Sequence, residues 1–316
     1  MKKFLTALLI IILILTAGIY LFIPAKIQIN RTVTIPATPS ATFRILSDNS
    51  TWKNWWPGSD NKSTLTNEKN QFAYKGYSYI INQKFFNTLG ILISGSDDVK
   101  INSSLIILSI LKDSVAVEWQ AIVIPSKNPV TRIQDYRKAM EIENNMKEVL
   151  SHIQSFLGNE KNIYGMNIQR TVVKDTLLMS TKFTSNQNPT TEEIYSSINK
   201  IREYISRHGA SESNYPMLNV SLIDSNRFQT MVAIPVNQVL KDNSDIYVRR
   251  MVRGYILEGE VKGGAYTARQ ALKQLENYVN DHSMNSPAIP FESLLTDRSS
   301  EPDTTKWITK LYYPVL

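Results

Sequence analysis

"RFQTMVAIPV" at residues 227–236 and "KWITKLYYPVL" at residues 306–316 spell one strand twice: each sets a Thr two places after an aromatic and closes on Pro-Val. Thr230 and Thr309, and Pro235 and Pro314, stand 79 positions apart; upstream, Tyr204 and Tyr278, His208 and His282, and Pro216 and Pro290 stand 74 apart. One five-residue insertion reconciles the two offsets, and "DRSSEPDTTK" is visibly longer than "DSNR". The apolar phase repeats too, with Ile194, Ile198, Ile201 and Ile205 matching Ala268, Leu272, Leu275 and Val279. "LLMSTKF" (177–183) and "YILEGEV" (255–261) supply a leading strand for each copy. Each half therefore reads strand, helix, strand, strand, the last two a hairpin. A half with one amphipathic helix is too small to stand alone, so the copies are expected to pair about a pseudo-twofold axis and leave a cleft where they meet.

The whole chain has 316 residues, long for one core and comfortable for two domains of ordinary size. With 42% hydrophobic and 20% charged residues it belongs among folded chains. The absence of Cys removes disulfides, Cys-ligated zinc, iron–sulfur clusters and thiol nucleophiles together. The net charge of +7 divides evenly, as +2 from Lys2 and Lys3, +3 over residues 24–160 and +2 over 161–316, so no concentrated basic face argues for nucleic acid. The local cluster Arg249, Arg250 and Arg253 in "YVRRMVRGY" reads as solvated positions around a strand turn, with weak attraction to anionic lipid headgroups as its other use.

Residues 1–24 form a membrane segment. Lys2 and Lys3 precede an uncharged run from Phe4 to Ile23, and those 20 residues would span roughly 30 Å as a helix, the thickness of a bilayer's hydrocarbon core. No small-x-small cleavage site follows, which favours an uncleaved single-pass anchor over a removed signal peptide. The two lysines place the N-terminus in the cytoplasm and everything after Pro24 outside.

The stretch that follows, residues 25–158, alternates Ile27, Ile29, Val33 and Ile35 against Gln28, Asn30, Thr32 and Thr34, a half-buried strand. Thr38 and Pro39 then open a short helix, and Trp52, Trp55 and Trp56 share one face of a helical turn. Residues 71–81, 84–95, 104–111 and 114–124 read as strands separated by Asn, Gly, Asp and Lys turns. Ala139, Ile142, Met146, Val149, Ile153 and Phe156 line a long amphipathic helix laid across them. This order, and "TIPATPSATFRILSDNSTWKNWWPG" above all, resembles the START-like superfamily, also called SRPBCC or polyketide cyclase/dehydrase-like. That resemblance implies a helix-grip fold, a curved antiparallel sheet around the long terminal helix, with an apolar cavity for which Trp52, Trp55 and Trp56 are candidate lining.

After a short polar joint at 159–164, residues 163–316 resemble the GyrI-like small-molecule-binding domain, the effector-binding module of many bacterial transcription activators. "GGAYTARQALKQLENYV", "IPFESLLTD" and "WITKLYYPVL" carry the likeness. It implies an aromatic cleft with a carboxylate that holds lipophilic, often cationic compounds; by motif position Glu292 is that carboxylate, and Trp307, Tyr312 and Tyr266 are the aromatics. Some relatives are hydrolases of strained rings, but Leu294 stands where their tyrosine would, so Glu292 lacks an acid/base partner here.

No metal-ligand spacing, nucleophile elbow, P-loop or dinucleotide motif occurs, and no cofactor is implied. His208 and His282 fall at equivalent helix C-termini, where capping explains them. The sequence thus predicts an α+β protein: an anchor, a START-like domain, and a duplicated GyrI-like domain whose cleft captures a hydrophobic or amphipathic small molecule, cations included, at the membrane, with the START-like cavity as a second place for it and without nucleic acid. An envelope enzyme acting on such a molecule, and an interaction scaffold without pockets, are the alternatives.

Overall fold

The computed structural model describes residues 2–58, 71–95 and 100–316. The chain divides into two compact units, Met1–Asn159 and Glu160–Leu316.

In the first unit, α1 (Lys2–Phe22) leads into β1 (Ile27–Ile35), α2 (Pro39–Ser47) and α3 (Asn49–Trp52). Ile27, Ile29 and Ile35 are buried, as the alternation requires. The Thr38 hydroxyl accepts from the Ala41 amide at 3.1 Å, with Pro39 in the first turn of α2. Then come β2 (Gln71–Tyr74), β3 (Tyr77–Lys84), β4 (Thr88–Gly95), β5 (Lys100–Leu111), β6 (Ser114–Val123) and α4 (Pro129–Leu157). Among the described residues they form one antiparallel sheet ordered β1-β6-β5-β4-β3-β2. The stretch 71–81, expected as a single strand, is a hairpin instead: Lys75 and Gly76 take φ of 46° and 81°, a two-residue reversal that Gly76 makes affordable. Of the turn expected between the strands at 84–95 and 104–111, residues 96–99 lie outside the described residues. Along α4, Ala139, Ile142, Met146, Val149 and Ile153 are buried, but Leu157 rather than Phe156 completes the stripe.

The second unit opens on α5 (Glu160–Tyr164). Residues 159–164, read as a polar joint, are therefore structured: Ile163 and Tyr164 are buried, and the Tyr164 hydroxyl bonds Asp281 at 3.1 Å. There follow β7 (Ile168–Val172), β8 (Leu177–Ser185), α6 (Thr191–Arg207), β9 (Met217–Asp224), β10 (Arg227–Pro235), β11 (Tyr247–Arg250), β12 (Tyr255–Lys262), α7 (Ala265–Asp281), β13 (Phe291–Leu294) and β14 (Ile308–Val315). Each copy thus has one strand more than its sequence showed, because β7 and β11 precede β8 and β12. These extra strands cross over. β11 pairs with β8 of the other half, Arg250 facing Leu177, and β7 pairs with β12, Val172 facing Tyr255. Both pairings are related by one offset of 78 positions. The eight strands make a single antiparallel sheet, ordered β11-β8-β10-β9-β13-β14-β12-β7.

That order forces the sheet to roll. β7 and β8 stand six places apart. In a flat sheet this is about 29 Å, whereas the five Cα steps from Val172 to Leu177 reach at most about 19 Å. The same arithmetic holds from β11 to β12. The sheet therefore curls until the connectors Val173–Thr176 and Met251–Gly254 span its mouth. They lie side by side there: Met251 N–H donates to Thr176 O at 2.9 Å and Val173 N–H to Gly254 O at 3.0 Å.

Both helices cover one face. α6 packs Ile194, Ile198, Ile201 and Ile205 on Met179, Val232 and Ile234, and α7 packs Ala268, Leu275 and Val279 on Leu257 and Leu311. Their ends match as the repeat predicts, each histidine ring bonding its tyrosine carbonyl at 2.8 Å, His208 to Tyr204 and His282 to Tyr278.

Candidate functional site

Strand alternation sends the intervening residues to the other, concave face. Two hollows lie there, of about 460 Å³ and about 220 Å³. Val173, Met217, Met251 and Phe291 line both. These four are two symmetry pairs, Val173 with Met251 at 78 positions and Met217 with Phe291 at 74, so the pseudo-twofold axis passes between the hollows.

The hollows are themselves copies of one another, and their chemistry has diverged. The smaller contains Glu258, Lys310 and Tyr312; at the equivalent places the larger has Ser180, Met231 and Ala233. Glu258 and Lys310 are paired at 2.8 Å, and Tyr312 stacks on Phe291 with ring centroids 5.0 Å apart. Burial, then the neighbouring Glu258 charge, pushes the Tyr312 phenol above its ordinary range. Replacing that polar set with Ser, Met and Ala leaves the larger hollow both emptier and apolar. Leu178, Met231, Ala233, Ala288, Ile289 and Pro314 supply its walls.

Of the four residues expected at the cleft, Tyr312 lines the smaller of these two hollows and the other three line neither. Glu292 sits on the helix-covered face, since Phe291 and Ser293 on either side of it point into the groove. Its carboxylate meets the Arg298 guanidinium at 3.3 Å, with side-chain exposures of 15% and 4%, and Arg298 also donates to Thr309 Oγ1 at 2.7 Å. Burial raises the Glu292 pKa, while Arg298 pulls it down less strongly. Trp307 belongs to the same cluster, its indole N–H on Glu301 O at 2.8 Å and its ring 4.9 Å from Arg298. Tyr266 is 72% exposed on the first turn of α7. The carboxylate expected to greet a cation is thus paired with Arg298, on the face of its strand away from the two hollows. Residue type follows the motif, and strand parity sets the side chain on the face away from the two hollows.

Trp52, Trp55 and Trp56, the candidate lining of a second cavity, are buried in the first unit. Trp52 stacks on Trp56 at 5.1 Å, their indole N–H groups donating to Leu46 O at 2.8 Å and Ala73 O at 3.0 Å. The void beside them is about 10 Å³, room for no more than one water. Among the described residues they pack against one another.

Sequence reasoning missed Met217, Met231, Met251 and Phe291. The repeat offset carried the signal for one pair, since Met217 and Phe291 are mates with the parity opposite to Leu218 and Glu292. Among the described residues no cluster of three His, Asp or Glu is placed to hold a metal ion.

No family model matches the chain. No curated protein matches it either. Among solved structures it is similar to the C-terminal domain of EcmrR, at 17% identity over 48% of this chain and 98% of that one, with a TM-score of 0.39. SAV2435 bound to tetraphenylphosphonium gives 16% identity, 48% and 94% coverage and a TM-score of 0.33. A hydrolase from Listeria innocua gives 13%, 50% and 96%, with a TM-score of 0.35. All three likenesses are remote.

Proposed function

We propose that the protein is a membrane-anchored receptor for a hydrophobic or amphipathic small molecule, which it holds in the larger hollow of its second unit. The observation that carries this reading is the divergence of two symmetry-related hollows. One has kept Glu258, Lys310 and Tyr312, while the other, with Ser180, Met231 and Ala233, opens about 460 Å³ of mainly apolar space. Pockets for small ligands have this size and character. A duplicated GyrI-like architecture is the frame, rolled so that two short connectors roof the groove. The helix Lys3–Phe22 is long and apolar enough to cross a bilayer and is unburied, which supports an N-terminal anchor; Lys2 and Lys3 ahead of the apolar run support a cytoplasmic N-terminus with both units outside. For the first unit, an antiparallel sheet against a 29-residue helix supports a START-like assignment, and its packed tryptophans support a structural role.

The test uses the full chain in lipid nanodiscs, screened by thermal shift against a panel of lipophilic compounds. A stabilising compound is expected, and Ala233→Tyr, which places in the larger hollow the side chain its mate carries, should abolish the shift without lowering the unliganded melting temperature. If no compound stabilises the wild type, or if Ala233→Tyr leaves the shift intact, the reading fails.

A further inference from the structure

The mouth of the larger hollow carries Arg249, Arg250 and Arg253, whose mates in the other copy are Thr171, Val172 and Asp175. Three cations stand where the duplicate has one anion and two neutral side chains, so the fold itself does not require them. All three are exposed, none makes an ion pair among the described residues, and no Asp or Glu side chain lines that hollow. In the smaller hollow, by contrast, Lys174 and Lys310 are matched by Asp175 and Glu258. From this asymmetry we infer that the guest is an anionic amphiphile: an apolar chain or ring body in the hollow, and one acidic head, carboxylate or phosphate, at the arginines.

This rests on the hollow being the binding site and adds the charge of its occupant. The physics has two parts. The body gains by leaving water, in proportion to the apolar surface it buries. The head keeps its hydration in part, because the guanidinium groups are exposed, and receives planar, multiple N–H donors that suit carboxylate and phosphate oxygens. A cationic head would meet three like charges and no carboxylate. Arg170, whose guanidinium lies 3.9 Å from the ring of Tyr255 on the hollow's wall, adds a fourth cation nearby.

A matched set of twelve-carbon probes separates the possibilities: dodecanoate, dodecyl phosphate, dodecanol and dodecyltrimethylammonium, titrated calorimetrically into the full chain in nanodiscs with empty nanodiscs subtracted. The anions should bind at least tenfold more tightly than dodecanol, about 1.4 kcal/mol. The cation should bind more weakly than dodecanol, and raising the salt should shrink both differences. In the triple variant Arg249→Gln, Arg250→Gln, Arg253→Gln the ratio of dodecanoate to dodecanol affinity should fall to about one. Equal or tighter binding of the cation overturns the inference, as does an anion preference that survives the triple variant. If dodecanol binds and Ala233→Tyr removes it, but no anion preference exists, the hollow stands as the site and only the charge assignment falls. Arginine-dependent anion binding that survives Ala233→Tyr would mean headgroup capture at the surface, and overturns it too. If none of the four binds, the charge assignment falls, while the hollow as a site is decided by the wider panel.

Discussion

The Met251 amide donates to the Thr176 carbonyl at 2.9 Å, and its symmetry mate, the Val173 amide, donates to Gly254 at 3.0 Å. These two bonds tie together connectors that arrive from opposite edges of the eight-stranded sheet. They join the connectors where no strand pairing does, across a roll that the connectors' length imposes. Met251→Pro removes one donor and leaves a carbonyl unpaired, for which we expect a loss of about 1–3 kcal/mol in chemical denaturation. Faster hydrogen exchange at the Val173 amide should accompany it, since its own bond is held only by the same strap. Unchanged exchange there would show that the connectors do not act together.

Glu292 offers a pH signature with a definite sign. Burial lifts its folded pKa above the ordinary 4.5, so between the two values the folded state holds more protons than the unfolded one. Stability must then fall as pH rises through that window, and recover on acidification. In Glu292→Gln this component should vanish, seen as a wild-type minus variant difference in unfolding free energy that declines as pH rises from 4.5. Ligand affinity in the hollow should not change, because the carboxylate lies on the opposite face. A loss of binding in this variant would restore Glu292 as a ligand contact.

Arg298 is the other half of that pair, at 4% exposure. Arg298→Met should cost about 3 kcal/mol, because it strands a buried carboxylate, and the double variant with Glu292→Gln should recover part of the loss. Thermal or urea unfolding of the four proteins of the cycle measures this directly. Simple additivity would mean the two groups do not interact.

Tyr312 fills the smaller hollow as Ala233 fails to fill the larger. Tyr312→Ala should lose its stacking on Phe291 and about 2 kcal/mol of stability, since the side chain is half-buried. It should also enlarge the smaller hollow toward the size of its mate, giving a second molecule of an apolar probe a place to bind. Calorimetric stoichiometry would read the change as a rise from one site toward two.

In the first unit, Trp52→Ala should cost about 3–5 kcal/mol, as truncating a fully packed tryptophan does. Binding to the second unit should be unaffected in nanodiscs below the melting temperature. A change in ligand affinity would instead assign the Trp cluster a part in the site.

The sequence by itself determined the duplication. Residues that recur at fixed offsets, such as His208 with His282 and Pro235 with Pro314, record a common local environment, and local environments are what spacing encodes. Thr38 at its cap and Ile27 to Ile35 on their strand were legible for the same reason, since caps and alternation depend on near neighbours. Strands β7 and β11 were not, because five- and four-residue segments acquire strand character only from the partner they cross over to meet. Nor was the site: the motif named Glu292, but whether a side chain faces guest or core is a matter of strand parity within the assembled sheet. One residue's shift along a strand exchanges the two faces. The arginines at 249, 250 and 253 looked like a solvated turn until the rolled sheet brought them to the rim of an apolar hollow. Only tertiary structure could decide that, because the roll follows from how far short connectors reach across six strands, and that distance is a property of the sheet's order rather than of any segment within it.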